Sequence, residues 1–188
     1  GVYVDTLAYR YTRQAPKTIK PAENVIIRLC SIECCVTHAL SDETCEKNVA
    51  FKKDIEEWSA ICDNLYVWDY TTDFVAYFMT YPNMDVLWDN VRFFKEHNVK
   101  GLFMQGQYNS ASGEFSELCS YLLSKLLWTP DMSEEEYYAH MEEFLRLYYG
   151  AGWENIKTYI DSMTKIALAD SNNPHVSCFD APLEVAPY

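Results

Sequence analysis

The sequence lacks any long apolar run, and no stretch approaches the roughly 20 apolar residues that a membrane span requires. It also lacks an amino-terminal segment that passes from basic to apolar to small residues, so we expect no signal peptide in this chain. Basic residues are scarce: the chain has 15 Lys and Arg against 28 Asp and Glu, which gives a net charge of −13. Such a surface repels phosphate groups and anionic lipids, so we expect neither nucleic acid nor a membrane as a partner.

Two familiar kinds of motif are also missing. The chain has no G-x-G-x-x-G and no G-x-x-x-x-G-K-[ST], so nothing supports nucleotide binding by either phosphate loop. It has seven cysteines, an odd number, and they show no regular spacing. This pattern is not typical of a disulfide framework. Cysteine usage therefore favours a reducing compartment such as the cytoplasm, and the sequence gives no other indication of localisation.

What is present is an alternation of strand-like and helix-like segments. The chain has 188 residues, 49 % of them hydrophobic, which is enough for one domain with a real core. β-Branched, aromatic and apolar runs predict strands, and apolar residues at helical spacing predict helices. The predicted strands are 2–9, 24–32, 65–70 and 99–104, and the predicted helices are 49–62, one from about 83, 112–127, 133–149 and 153–169. This order predicts an α/β fold with a parallel sheet and right-handed crossovers.

Four strands of this kind are half of a (β/α)₈ barrel, which typically takes about 250 residues. We therefore expect a barrel-like fold, the carboxyl-terminal half of a (β/α)₈ barrel followed by extra helices; a small open doubly wound sheet is the alternative. The expected organisation is a half-barrel region over 1–130, post-barrel helices over 131–170, and a tail or linker over 171–188. Since a predicted strand follows Gly1 directly, we expect a fragment of a larger protein. Its exposed sheet edges favour self-association, or the tail covers one of them.

The carboxyl ends of parallel strands are where α/β folds bind ligands, and here they carry carboxylates, aromatic rings and amides. Sugars offer an apolar face for stacking and a rim of hydroxyls, so this set predicts a carbohydrate ligand. Glycosidic cleavage needs two carboxyl groups, and we assign Glu33 and Asp69 as acid and base or nucleophile. The residues predicted to position the sugar are Tyr9, Arg10, His38, Trp68, Tyr70, Gln105 and Tyr108.

Each assignment has a plainer interpretation. Strand alternation places Trp68 and Asp69 on opposite faces, which argues against both serving one site unless a bulge releases one of them. Glu33 could instead cap the following loop or pair with Arg28.

Soft metal ligands also cluster in one short segment, at Cys30, Cys34, Cys35, His38 and Cys45. Structural zinc sites usually show paired C-x₂₋₄-C knuckles, whereas the nearest match here is Cys30-x₃-Cys34, which has no good second pair. We therefore predict no metal and no cofactor. A cysteine nucleophile with His38 or His97 as its base has no local signature to support it.

Several stretches together carry a family resemblance. They are LAYRYTRQAPKTIKPAENVIIRLCSIECC (7–35), LYVWDYTTDF (65–74), VKGLFMQG (99–106), SYLLSKLLWTPDM (120–132) and FLRLYYGAGWENIKTYI (144–160). In them the sequence resembles the bacterial family called domain of unknown function 4838, which is distantly similar to glycoside hydrolases of the α-glucuronidase and hexosaminidase type. The resemblance implies a (β/α)₈ barrel followed by helices, and binding or hydrolysis of a uronic acid or hexosamine glycan. It supplies no catalytic residues. A non-catalytic carbohydrate-binding or scaffold module of a larger protein is the alternative function.

Overall fold

The computed structural model describes residues 1–169 and 175–179. Within them, the strands are β1 (Val4–Ala8), β2 (Val25–Cys30), β3 (Leu65–Tyr70) and β4 (Gly101–Gln105), and the α-helices are α1 (Glu46–Ser59), α2 (Leu87–Glu96), α3 (Ser116–Trp128), α4 (Glu134–Tyr149) and α5 (Trp153–Ala169). Short 3₁₀ turns occupy Arg10–Thr12 and Gly150–Gly152. The strands form one sheet in the order β1-β2-β3-β4, and every neighbouring pair is parallel. The predicted α/β class with a parallel sheet is thus confirmed.

Most elements begin and end near their predicted positions, and the differences have local causes. Strand β3 has its predicted bounds, whereas β1 starts two residues later because its pairing with β2 begins at Val4 opposite Val25. Helix α1 starts and ends three residues earlier than predicted. Its backbone becomes helical after Cys45, which has the extended conformation of an N-cap. The helix ends at Ser59, just before the amides of Ile61 and Cys62 donate hydrogen bonds to the Trp58 carbonyl.

The two faces of the sheet have different surroundings. In β3, Leu65, Val67 and Asp69 are buried, while the alternating Tyr66, Trp68 and Tyr70 are only half-buried. The first set belongs to the face that helices α1 and α2 cover. Aromatic and aliphatic side chains fill the core on that face: Ile27, Leu29, Phe51, Ile55, Trp58, Phe93 and Phe94. The opposite face has no helix over it among the described residues, and we call it the open face.

A second core joins α2 and α3 to the last two helices. Its buried side chains include Leu122 on α3, Tyr137 and Met141 on α4 and Ile160 on α5. The Tyr137 hydroxyl donates to the Met84 carbonyl at 2.6 Å, which ties α4 to the segment before α2. The predicted capping box opens α4, because Ser133 accepts from the Glu136 amide and the Glu136 carboxylate accepts from the Ser133 amide.

Part of the predicted tail returns to the sheet. The carbonyls of Val176 and Cys178 accept hydrogen bonds from the amides of Val36 at 2.8 Å and Phe74 at 2.9 Å, and both side chains are buried. The rest of the predicted 171–188 tail lies outside the described residues. None of the helices described here is long and apolar enough to cross a membrane.

Candidate functional site

The open face of the sheet carries an aromatic cleft of about 360 Å³ near the carboxyl ends of the strands. Alternation along β3 places Trp68 and Tyr70 side by side on this face, and the parallel register sets Gln105 of β4 beside Tyr70. The chain following β1 adds Tyr9, and the chain following β4 adds Tyr108. The complete lining is Leu7, Tyr9, Cys30, Ile32, Trp68, Tyr70, Phe74, Gln105, Tyr108 and Phe179. We call this depression the aromatic cleft.

The floor of the aromatic cleft is fixed by contacts within the sheet. The Trp68 indole lies almost parallel to the Tyr70 ring, with centroids 6.5 Å apart and planes 22° apart. It also meets the edge of Phe103 at 4.7 Å, and its Nε1–H donates to Gln105 Oε1 at 2.7 Å. Burial raises the pKa of the Tyr70 phenol above its ordinary value, so this hydroxyl stays neutral. The cleft thus presents rigid flat rings and a few polar atoms.

The structure brings together five of the seven residues predicted to position a sugar: Tyr9, Trp68, Tyr70, Gln105 and Tyr108. Arg10 is exposed and lies over the Tyr9 ring, with its guanidinium carbon 5.4 Å from the ring centroid, beside the cleft rather than in its lining. His38 lies elsewhere, with Nδ1 3.2 Å from the Cys35 sulfur.

The two carboxylates predicted to be catalytic have different surroundings. Glu33 is half-exposed and forms an ion pair with Arg13, whose Nη1 lies 2.8 Å from Glu33 Oε2. Asp69 points to the helix-covered side and lines a small cavity of about 20 Å³. There it accepts a hydrogen bond from the Ser31 hydroxyl, and burial raises its pKa to about 6. Glu33 does not line the cavity that Asp69 lines.

A different pair of carboxylates shares one cavity at the same edge of the sheet. Asp73, in the segment after β3, and Glu114, just before α3, both line a cavity of about 70 Å³. Asp73 Oδ1 accepts from the amides of Val75 at 2.8 Å and Ala76 at 3.3 Å. We call this space the carboxylate cavity.

Glu114 is largely enclosed by the polar groups that hold it. Its Oε2 accepts from the Tyr81 amide at 2.8 Å, and its Oε1 accepts from the Tyr159 hydroxyl of α5 at 3.3 Å. Burial nevertheless raises the pKa of the Glu114 carboxyl above its ordinary value, because these hydrogen bonds offset the loss of water only in part. A carboxyl group with a raised pKa is suited to donate a proton.

The carboxylate cavity and the aromatic cleft share a wall of aromatic rings. Phe74 and Tyr108 line the cleft, and Tyr77 lines the cavity. The Tyr77 ring meets both of the others, with centroid distances of 6.4 Å to Phe74 and 6.4 Å to Tyr108. The two spaces are therefore neighbours along the carboxyl edge of β3 and β4.

The sequence model of one protein family matches residues 1–161 of the chain, and its description is Domain of unknown function (DUF4838). The chain belongs to the DUF4838 family. No curated protein and no solved structure matches it. The resemblance of this DUF4838 domain to glycoside hydrolases therefore stays a prediction.

Two features of this DUF4838 domain were missed from the sequence. Glu114 was not among the predicted site residues, and it falls in the first turn of the helix predicted over 112–127. The structure begins α3 at Ser116 instead, after Phe115 adopts a left-handed backbone conformation with φ of 47°. Phe179 falls in the segment predicted to be a tail, and no pattern around it indicates that it returns to the sheet.

Proposed function

We propose that this domain binds carbohydrate in the aromatic cleft. The observation that carries the proposal is the parallel pair of Trp68 and Tyr70 on the open face, fixed by the hydrogen bond from the indole to Gln105. The apolar face of a pyranose ring stacks on such a surface, while the Gln105 amide and the Tyr70 hydroxyl can bond to sugar hydroxyls. The volume of about 360 Å³ falls in the usual range for small-molecule sites.

For the fold, we infer that the described sheet is an arc of a (β/α) barrel, in which the open face is the interior. The sequential order β1-β2-β3-β4 supports this, because a doubly wound sheet reverses its strand order at a switch point and this sheet has no such reversal among its described strands.

Binding is tested by calorimetry against a panel of uronic acid and hexosamine oligosaccharides. Tyr108 is 74 % exposed, so Tyr108→Ala removes a stacking ring with little effect on folding. We expect Tyr108→Ala and Trp68→Leu each to weaken binding about fivefold, since aromatic stacking contributes on the order of 1 kcal/mol. Tyr148→Ala, an exposed tyrosine on α4 away from the cleft, is the matched control and should bind as the unmodified chain does. Equal affinity of all these proteins, or no binding across the panel, would refute the proposal.

Hydrolysis at the carboxylate cavity is the second candidate function, and it rests on the cavity that Asp73 and Glu114 share. In this scheme protonated Glu114 gives its proton to the glycosidic oxygen as the bond to the anomeric carbon breaks. Water adds to that carbon and gives a proton to Asp73, or Asp73 first forms a glycosyl ester that water then hydrolyses. At about 70 Å³ the cavity has room only for water or a small substituent, so the sugar ring itself would lie in the aromatic cleft.

The hydrolytic candidate is separated from simple binding by turnover measurements on whichever sugars bind. Loss of turnover in Glu114→Gln with sugar binding retained supports it. Loss in Glu33→Gln or Asp69→Asn, with Glu114→Gln active, would instead return the chemistry to the carboxylates assigned from the sequence. Binding without turnover in the unmodified chain leaves the non-catalytic carbohydrate-binding module.

A further inference from the structure

Two cysteines and two histidines meet on the side of the β2–α1 loop, outside the aromatic cleft and the carboxylate cavity. They are Cys35, His38, Cys45 and His175, and one potential ligand atom of each lies within 4.8 Å of the other three. Cys35 Sγ lies 3.2 Å from His38 Nδ1, and Cys45 Sγ lies 3.4 Å from His175 Nδ1. The cysteines are buried and the histidines half-buried.

We propose that these four side chains form a structural zinc site. Zinc in proteins is bound by four ligands in a tetrahedron, with bonds of about 2.3 Å to sulfur and about 2.0 Å to nitrogen, so neighbouring ligand atoms lie about 3.3 to 3.8 Å apart. The two sulfur–nitrogen distances here are close to that range, and shifts of about an ångström would complete the tetrahedron. A set of two sulfurs and two nitrogens in this geometry selects zinc over the harder cations.

The charge balance suits the partly buried position. On binding, the thiols of Cys35 and Cys45 lose their protons to solvent, and the two thiolates neutralise the charge of Zn²⁺ while the imidazoles stay neutral. Cys45 is the N-cap of α1, so its side chain lies at the positive end of the helix dipole, although burial raises the pKa of the free thiol above its ordinary value.

A buried amide holds two of the ligands in place. The Asn48 side chain is fully buried on α1, and its Oδ1 accepts from the Cys35 amide at 2.8 Å. Its Nδ2 donates to the carbonyls of Cys35 at 3.2 Å, His38 at 2.9 Å and Ala39 at 3.1 Å. The backbone of the 35–39 loop is therefore positioned by α1 whether or not a metal is bound, which is the role that outer-shell groups have in zinc sites.

The site explains how a distant segment is held against the sheet. His175 is separated from Cys45 by 130 positions, and the residues after it bond to the loops at the strand ends. Those residues lead to Phe179, which contacts Phe74 in the aromatic cleft with centroids 5.9 Å apart. Zinc would fasten this segment and so help to position one wall of the cleft.

Paired cysteines, the usual sequence sign of a structural zinc site, do not mark these four ligands. The spacing present is Cys-x₂-His followed by a single cysteine, and the fourth ligand comes from a segment predicted to be a tail. Cys30 and Cys34, which are spaced more like a zinc pair, are not members of the cluster.

The test is metal analysis of the chain purified under reducing conditions without chelators. We expect one equivalent of zinc per chain, and we expect the protein reconstituted with Co²⁺ to show the visible absorption of tetrahedral cobalt with thiolate ligands. Cys45→Ala and His175→Asn should each lose the bound metal, whereas Cys62→Ala and His140→Asn, matched residues outside the cluster, should keep it. Because Cys45→Ala removes a buried side chain, circular dichroism establishes that it is folded, and half-buried His175→Asn tests the same site at lower structural risk.

Several results would overturn the zinc site. Folded protein that takes up neither zinc nor cobalt in stoichiometric amount is one of them. A Cys35–Cys45 disulfide in the reduced preparation, or rapid alkylation of Cys35 in the presence of zinc, would also contradict it. Retention of metal in His175→Asn with loss in His140→Asn would place the ion elsewhere.

Discussion

Asp69 and Trp68 are adjacent in sequence but lie on opposite faces of β3. Trp68 forms the floor of the aromatic cleft, whereas Asp69 is buried toward the helices with Ser31 as its hydrogen-bond donor. The sequence correctly indicated that these two side chains would separate, because strand alternation requires it. It did not indicate which of the two faces would remain open, because that depends on where α1 and α2 pack.

The burial of Asp69 predicts a pH-dependent stability. Folding raises its pKa from 3.8 to about 6, so the folded state favours the protonated form. The corresponding stabilisation is complete below about pH 4 and is lost as the pH rises through 6, a change of about 3 kcal/mol in the free energy of unfolding. As the pH rises from below 4 to above 6, we therefore expect the free energy of unfolding of the unmodified chain to fall by up to about 3 kcal/mol relative to that of Asp69→Asn. Urea unfolding at a series of pH values measures this difference.

Three groups near Asp69 stay neutral over this interval. Burial raises the pKa of the Cys34 thiol and the Tyr81 phenol, and that of Cys119 to about 12, so all three stay neutral. The exposed Asp63→Asn is the control and should show the same pH dependence as the unmodified chain. Altered hydrogen bonds in Asp69→Asn add an offset that does not vary with pH, so a constant difference between the two proteins would contradict the prediction.

Residue patterns indicated five of the residues that line the aromatic cleft, but not the pair of carboxylates that lines the carboxylate cavity. Tyr9, Trp68, Tyr70, Gln105 and Tyr108 come together because each lies in the last three residues of a parallel strand or shortly after it, and the carboxyl ends of such strands meet at one edge. Glu114 and His175 could not be found in this way. They reach their neighbours through the packing of loops on the sheet, which one sequence does not encode in any local pattern.

At the scale of elements, the pairing of β3 with β4 depends on a glycine. Gly101 lies opposite Tyr66, and a Cβ added at Gly101 would meet Tyr66 Cε1 at 2.3 Å. Because ring atoms cannot approach a Cβ so closely, Gly101→Ala must displace the Tyr66 ring, which also lies against the Arg28 guanidinium. We expect Gly101→Ala to lower the free energy of unfolding by about 1 to 3 kcal/mol, the usual cost of overpacking, as measured by chemical denaturation.

The chain offers a matched control for this substitution. Gly106 follows β4 and has no atom within 4 Å of an added Cβ, so Gly106→Ala should change the stability by no more than about 0.5 kcal/mol. In a Tyr66→Ala background the cost of Gly101→Ala should largely disappear, because the clashing ring is gone. Equal destabilisation by Gly101→Ala with and without Tyr66 would show that the clash is not its cause.

Elements with strong local signals were predicted well and elements fixed by partners less so. The capping box of Ser133 and Glu136 marked the start of α4 because both halves of the motif lie within one helical turn. Strand β1 was predicted too long because its apolar residues begin at Val2, while its hydrogen bonds need β2, which begins at Val25. The bounds of a strand depend on the neighbouring strand with which it forms hydrogen bonds. The residues of one segment alone do not show where that neighbour begins and ends.

At the scale of the whole molecule, the described sheet leaves its two outer strands, β1 and β4, without a strand partner on one side, and part of one face is open. Strand β1 pairs with β2 on one side only. Val2 and Tyr3 just before it are 81 % and 61 % exposed, and Val4 and Leu7 within it are 53 % and 48 % exposed. Unpaired strand edges with apolar side chains associate with other chains. The net charge of −13 opposes that association through repulsion between copies.

These opposing effects predict self-association of this chain that strengthens with ionic strength. Salt screens the repulsion between copies, with a Debye length that falls from about 10 Å at 0.1 M to about 3 Å at 1 M, but it does not weaken apolar contact at the edge. Sedimentation velocity over a range of protein concentrations should show larger species at high salt than at low salt. Replacing Tyr3 and Val4 by lysine should abolish them, whereas Leu147→Lys, at a 74 % exposed position on α4, should leave them unchanged. Monomers at every concentration in high salt, or association that survives the edge substitutions, would mean that β1 is not the contact.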